Sequence, residues 1–79
     1  MKNFDIYEVL NDIELTEKEM KAYSMLGEGF KILSGLPENK GASSRLYNVK
    51  SDKYWTSYYE CNEFLGKLYE IKDRIIREE

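Results

Sequence analysis

The residues of this chain that could do chemistry are two close carboxylate pairs, Glu17 with Glu19 and Glu60 with Glu63, and a single thiol, Cys61. A carboxylate pair runs general acid/base chemistry when its surroundings push the two pKa values apart, which needs a cleft. Both pairs fall where helices are expected to begin, and acids there favour the positive end of the helix dipole and cap the backbone. The structural role is the one expected. The chain has no histidine, so it lacks the commonest general base, the usual partner of a Ser or Cys nucleophile and the commonest zinc ligand. One cysteine cannot build a Cys/His zinc site, and Asp52 has no calcium-loop spacing around it. No metal, no cofactor and no catalytic residue are expected. Cys61 lies in a helical pattern where a small buried side chain fits.

Binding chemistry is richer. The stretch RLYNVKSDKYWTSYYE, Arg45 to Glu60, gathers four tyrosines and the one tryptophan among Lys50 and Lys53. Tyr, Trp and Arg offer large, rigid contact area with a polar tip, as interfaces use it. Helical spacing turns Tyr54 and Tyr58 inward and leaves Trp55 and Tyr59 more exposed. The expected protein-binding residues are therefore Arg45, Tyr47, Lys50, Trp55 and Tyr59.

Charge shapes the choice of partner. Lys plus Arg against Asp plus Glu is 4 against 8 over residues 1–38, 4 against 1 over 39–53 and 4 against 6 over 54–79, net −3 in all. An acidic body with a short basic centre is a poor general nucleic-acid binder, because that affinity rests on many Lys and Arg neutralising phosphates. Hydrophobic residues at 42% and charged ones at 34% support a packed core in a single domain, residues 1–79. The apolar runs are two or three residues long, far below the roughly 20 of a membrane span. MKNFDIYEVLND has no apolar signal core, so a cytoplasmic protein is expected.

Three helices are expected to position these residues. Ile6, Val9, Leu10 and Ile13 give a short helix near 4–13. Thr16 and Glu19 form a T-x-x-E capping box, with Leu15 able to staple onto Met20, so a second helix starts near Glu17. Met20, Tyr23, Leu26, Phe30 and Leu33 form its stripe, and Gly35, in a left-handed conformation, with Pro37 ends it near Ser34. Gly27 and Gly29 inside it suggest close approach of another helix, ahead of a bend or a phosphate loop. Residues 35–50 read as loop. A third helix over 53–78 is capped by Ser51-Asp52, or later by Ser57 with Glu60, and carries Tyr58, Cys61, Leu65, Leu68, Ile71 and Ile75 on one stripe. Glu63 with Lys67, Glu70 with Arg74 and Asp73 with Arg77 are spaced to pair along its outer face. The expected fold is an all-α three-helix bundle, with an α+β variant carrying a tiny hairpin around 45–56 as the fallback.

LTEKEMKAYSMLGEG, Leu15 to Gly29, resembles the opening helix of response-regulator-type helix-turn-helix domains, over about a fifth of the chain. GLPENKGASSRL stands where that family places its second and recognition helices. The resemblance implies phosphate contacts from Ser43, Ser44, Arg45 and Lys50. More broadly, a small acidic chain without catalytic residues is similar in class to inhibitors encoded by phages and mobile elements, including anti-CRISPR and anti-restriction proteins. The leading expectation is thus a non-catalytic protein that binds and inhibits a basic nucleic-acid-handling protein, its acidic face standing in for phosphate charge. The alternative is a nucleotide or single-strand binding module, with Tyr47, Tyr54, Trp55 or Tyr59 stacking on bases. A homo-oligomer is compatible with either.

Overall fold

A computed structural model describes residues 5–78. The chain forms two long helices, α1 over Ile6–Ser34 and α2 over Ala42–Glu78, folded against each other as an antiparallel hairpin. The assembly is a rod of 58 × 15 × 13 Å. No strand occurs among the described residues, so the 45–56 hairpin is not formed. Neither helix is long and apolar enough to cross a membrane.

The hairpin replaces the expected three-helix bundle because the first two helices are one. Asp5 caps α1 by accepting from the Tyr7 N–H at 3.0 Å, and no Gly or Pro interrupts the chain until Gly27. Thr16, expected as a cap, is buried at 3% exposure and donates its hydroxyl to the Asp12 carbonyl one turn back, at 2.7 Å. Its polarity is satisfied inside the helix, so nothing forces a break. Glu14 and Lys18 pair at 3.2 Å across the expected boundary. Leu15 is left half exposed instead of stapled. The expected start of the first helix at Phe4 lies outside the described residues, as does Glu79.

Both helices carry a 4-3 apolar repeat, the pattern that lets two helices mesh along a seam. In α1 the inward residues are Val9, Ile13, Thr16, Met20, Tyr23, Gly27, Phe30 and Ser34; in α2 they are Ser44, Tyr47, Ser51, Tyr54, Tyr58, Cys61, Leu65, Leu68, Lys72 and Ile75, all buried or half-buried. The open end is aliphatic. Val9, Ile13 and Leu68 form the buried cluster, flanked by Leu65, Ile71 and Ile75. Toward the turn the seam becomes aromatic and narrow.

The connection spans residues 35–41. Gly35 is right-handed, φ −91° and ψ −2°, its N–H donating to the Ile32 carbonyl at 3.0 Å and the Leu36 N–H to the Leu33 carbonyl at 3.3 Å; the expected left-handed stop is absent there. Asn39 closes the helix end, its side-chain amide donating to the Leu33 carbonyl at 2.8 Å. The left-handed residue is Gly41, φ +61°, whose carbonyl accepts from the Arg45 N–H at 3.1 Å. Glycine adopts that conformation without steric cost, and α2 begins immediately after it, eleven residues before the expected start near Lys53.

Candidate functional site: an aromatic cluster on an acidic flank

Small residues bring the backbones together near the turn. Ser51 is 2% exposed and donates to the Gly27 carbonyl on the other helix at 2.8 Å. It is an interhelical tie, not a cap. Ser44 likewise donates to the Ser34 carbonyl at 2.8 Å, which occupies a hydroxyl that the helix-turn-helix resemblance assigned to phosphate. The close neighbour at Gly27 is a side chain of α2 rather than the helix backbone expected there. A Cβ on Gly27 would lie 2.8 Å from Trp55 Nε1 and 2.9 Å from its Cδ1. Gly29 has no such neighbour: nothing lies within 4 Å of where its Cβ would be.

The aromatic residues separate into two groups. Along the seam a ladder alternates between helices: Tyr23 with Tyr54 at 6.2 Å, Tyr54 with Phe30 at 5.7 Å and Phe30 with Tyr47 at 6.0 Å between ring centroids, all stacked. Lys50 sits over the Phe30 ring with Nζ 5.3 Å from its centroid. A second group lies around Trp55. Tyr58 meets it edge-on at 5.3 Å, Tyr59 lies at 6.4 Å, and Tyr58 and Tyr59 pack edge-on at 5.4 Å.

These contacts place the five expected binding residues. Trp55 and Tyr59 are together; Trp55 is half-buried against Gly27, whereas Tyr59 is 61% exposed. Tyr47 is half-buried in the ladder and Lys50 rests on the same ladder at Phe30. Arg45 is exposed near the turn, fourteen residues from Tyr59, or about 21 Å along a helix. The five therefore do not converge on one spot. Tyr54 and Tyr58 face inward as their spacing predicts.

The flank around Tyr59 is electronegative. From Tyr54 to Gly66, α2 holds Glu60 and Glu63 and no Lys or Arg. The Cys61 thiol reports the field: burial first, then the charges of Glu19 on α1 and Glu60 on α2, push its pKa up. Glu17 accepts a hydrogen bond from the Tyr69 hydroxyl at 3.2 Å, which raises the tyrosine pKa together with the carboxylate charge. Glu17 and Glu19 are thus mid-helix surface acids rather than helix-start caps. The pairs expected along α2, Glu63–Lys67, Glu70–Arg74 and Asp73–Arg77, are not closed; the one ion pair within 4 Å among the described residues is Glu14–Lys18.

Sequence reasoning allows for an apolar stripe left over on a helix but places Leu26 and Leu33 on the inward one. Met25, Leu26, Gly29, Phe30 and Leu33 line a shallow open groove on the surface. Leu26 and Leu33 were grouped with Met20, Tyr23 and Phe30 as one stripe, but Leu26 and Leu33 are exposed whereas Met20, Tyr23 and Phe30 are half-buried. The unbroken 4-3 phase through Gly27 and Ser34 is the signal that separates them. No family model, curated protein or solved structure matches the chain.

Proposed function

We propose that this chain is a non-catalytic binding hairpin whose partner is a basic nucleic-acid-handling protein, and that it inhibits that partner by covering its basic surface, as inhibitors encoded by phages and mobile elements do. The carrying observation is the exposed Tyr59 ring, backed by Trp55 and Tyr58, on a helix stretch that holds acids and no base from Tyr54 to Gly66. A rigid aromatic anchor within a negative field suits a positively charged surface: the ring supplies buried area, and the carboxylates steer approach and select against acidic partners. Trp55 fixes the ring platform from behind. Arg45 and Lys50, near the basic turn, lie off this face and set the end of the contact.

The test is affinity capture with the intact chain, followed by binding measurements on the purified protein recovered. A basic nucleic-acid-handling protein is expected, with an affinity that falls as salt rises. Tyr59→Ala should weaken it by about 2 kcal/mol, roughly 30-fold, and Glu60→Lys with Glu63→Lys should slow association. Recovery of nothing above control at saturating bait, or binding indifferent to both variants, rejects the reading. Titration with nucleotides and labelled oligonucleotides at low salt should leave Trp55 fluorescence unchanged; a saturable change transfers the site to nucleic-acid chemistry.

A further inference from the structure

A second 4-3 stripe runs along α1, formed by Ala22, Leu26, Gly29 and Leu33, with Leu36 of the connection just beyond the helix end. It is turned about 100° round the helix from the seam that holds α2. Met25 and Ile32 border it at 65% and 60% exposure, and Leu26, Leu33 and Leu36 are also exposed. At these exposures they form an apolar patch, and the largest such patch on a small protein is often functional. Gly29 sits at its centre. Glycine is disfavoured inside a helix, and Gly27 has its reason in the Trp55 ring; Gly29 has no intramolecular reason, because the space beside it is open.

We infer that this stripe binds a second copy of the chain, with two α1 helices crossing antiparallel at Gly29 about a two-fold axis. In such a pairing a residue a given number of steps before Gly29 faces the residue the same number after it on the other copy. Along this face the matched residues are apolar: Met25 opposite Leu33, Leu26 opposite Ile32, and Gly29 opposite itself. The two backbones approach at the centre, where glycine meets glycine. The hairpin also has reason to pair. Its fully buried apolar residues among those described are Val9, Ile13 and Leu68, and domains of this size commonly rely on association for stability. The patch is small against the roughly 1,000 Å² that a specific interface clears, so the pairing is expected to be weak and to dissociate on dilution.

The surface is separate from Tyr59, so the two proposals fail independently. Sedimentation of the full chain should give twice the 9.4 kDa chain mass at high concentration and dissociate on dilution. Gly29→Lys should shift the protein to monomer while its helical circular dichroism persists, since the site is open within one chain; Tyr59→Ala should leave the dimer intact. In a Cys61→Ser background, Gly29→Cys should oxidise to a disulfide-linked dimer, whereas Asn11→Cys, on the outer side of α1, should not. A single-chain mass at every concentration, a dimer unaffected by Gly29→Lys, or equal cross-linking from both cysteines overturns the inference.

Discussion

At the residue scale the contact between Gly27 and Trp55 fixes how closely the helices meet. Gly27→Ala gains helix propensity but sets a methyl 2.8 Å from the indole; overpacking of this kind costs about 1–3 kcal/mol. The expected result is a lower denaturation midpoint with a changed tryptophan emission, and a stabilised protein would contradict the packing. Ser51→Ala removes the tie to the Gly27 carbonyl and should cost about 1 kcal/mol. Cys61 gives a chemical readout of the same seam. Its thiol is held above its ordinary pKa by burial and by Glu19 and Glu60, so alkylation in the folded chain should begin at higher pH than in the chain unfolded in urea. Because the folded thiol titrates above the unfolded one, the associated stability is present below the unfolded pKa and lost as pH rises through the folded one. Equal alkylation profiles in the two states would show that Cys61 is outside the seam.

At the element scale the helices owe their lengths to how their polar residues are satisfied. Gly66, deep in α2 with open space beside it, carries no contact that requires glycine, so Gly66→Ala should stabilise by about 1 kcal/mol. Gly41→Ala should destabilise by about 1–2 kcal/mol, because its φ of +61° strains any side chain. Thermal unfolding of the pair checks both signs. Much of α2 was legible: Tyr58, Cys61, Leu65, Leu68 and Ile75 face inward on the stripe their spacing predicts, with Ile71 packed at its flank while Lys72 takes the seam position. The helix boundaries were less so. Thr16 and Ser51 have the side chains of caps, but here one hydroxyl returns to its own helix and the other crosses to the neighbour. Serines at 44 and 51 also hid the start of the α2 seam, because a small hydroxyl at a close approach reads locally as a turn. Of the candidate site, helical spacing set Trp55 and Tyr59 apart from Tyr54 and Tyr58, though Trp55 is half-buried against Gly27 rather than exposed; the diversion of Tyr47 and Lys50 to Phe30 depended on which α1 residue lies opposite, which no local pattern specifies.

For the whole molecule, fusing the first two expected helices into one α1 has the largest consequence. A three-helix bundle would fold its short first helix back onto the second; the hairpin has no such element, and the α1 stripe stays open for a second copy. It also stretches the molecule to 58 Å, setting the basic turn and the acidic Tyr59 flank apart along one rod. Both proposed interfaces depend on α1 passing unbroken through Thr16. The most direct test is a pulsed electron-spin distance between labels at Glu8 and Glu28, in a Cys61→Ser background diluted with unlabelled chain. Both positions are exposed on α1, and twenty residues of continuous helix separate them by about 30 Å. A narrow distribution near that distance is the expected result; a peak near roughly 15 Å, as for a first helix folded back on the second at ordinary packing distance, would contradict the hairpin and the surfaces derived from it.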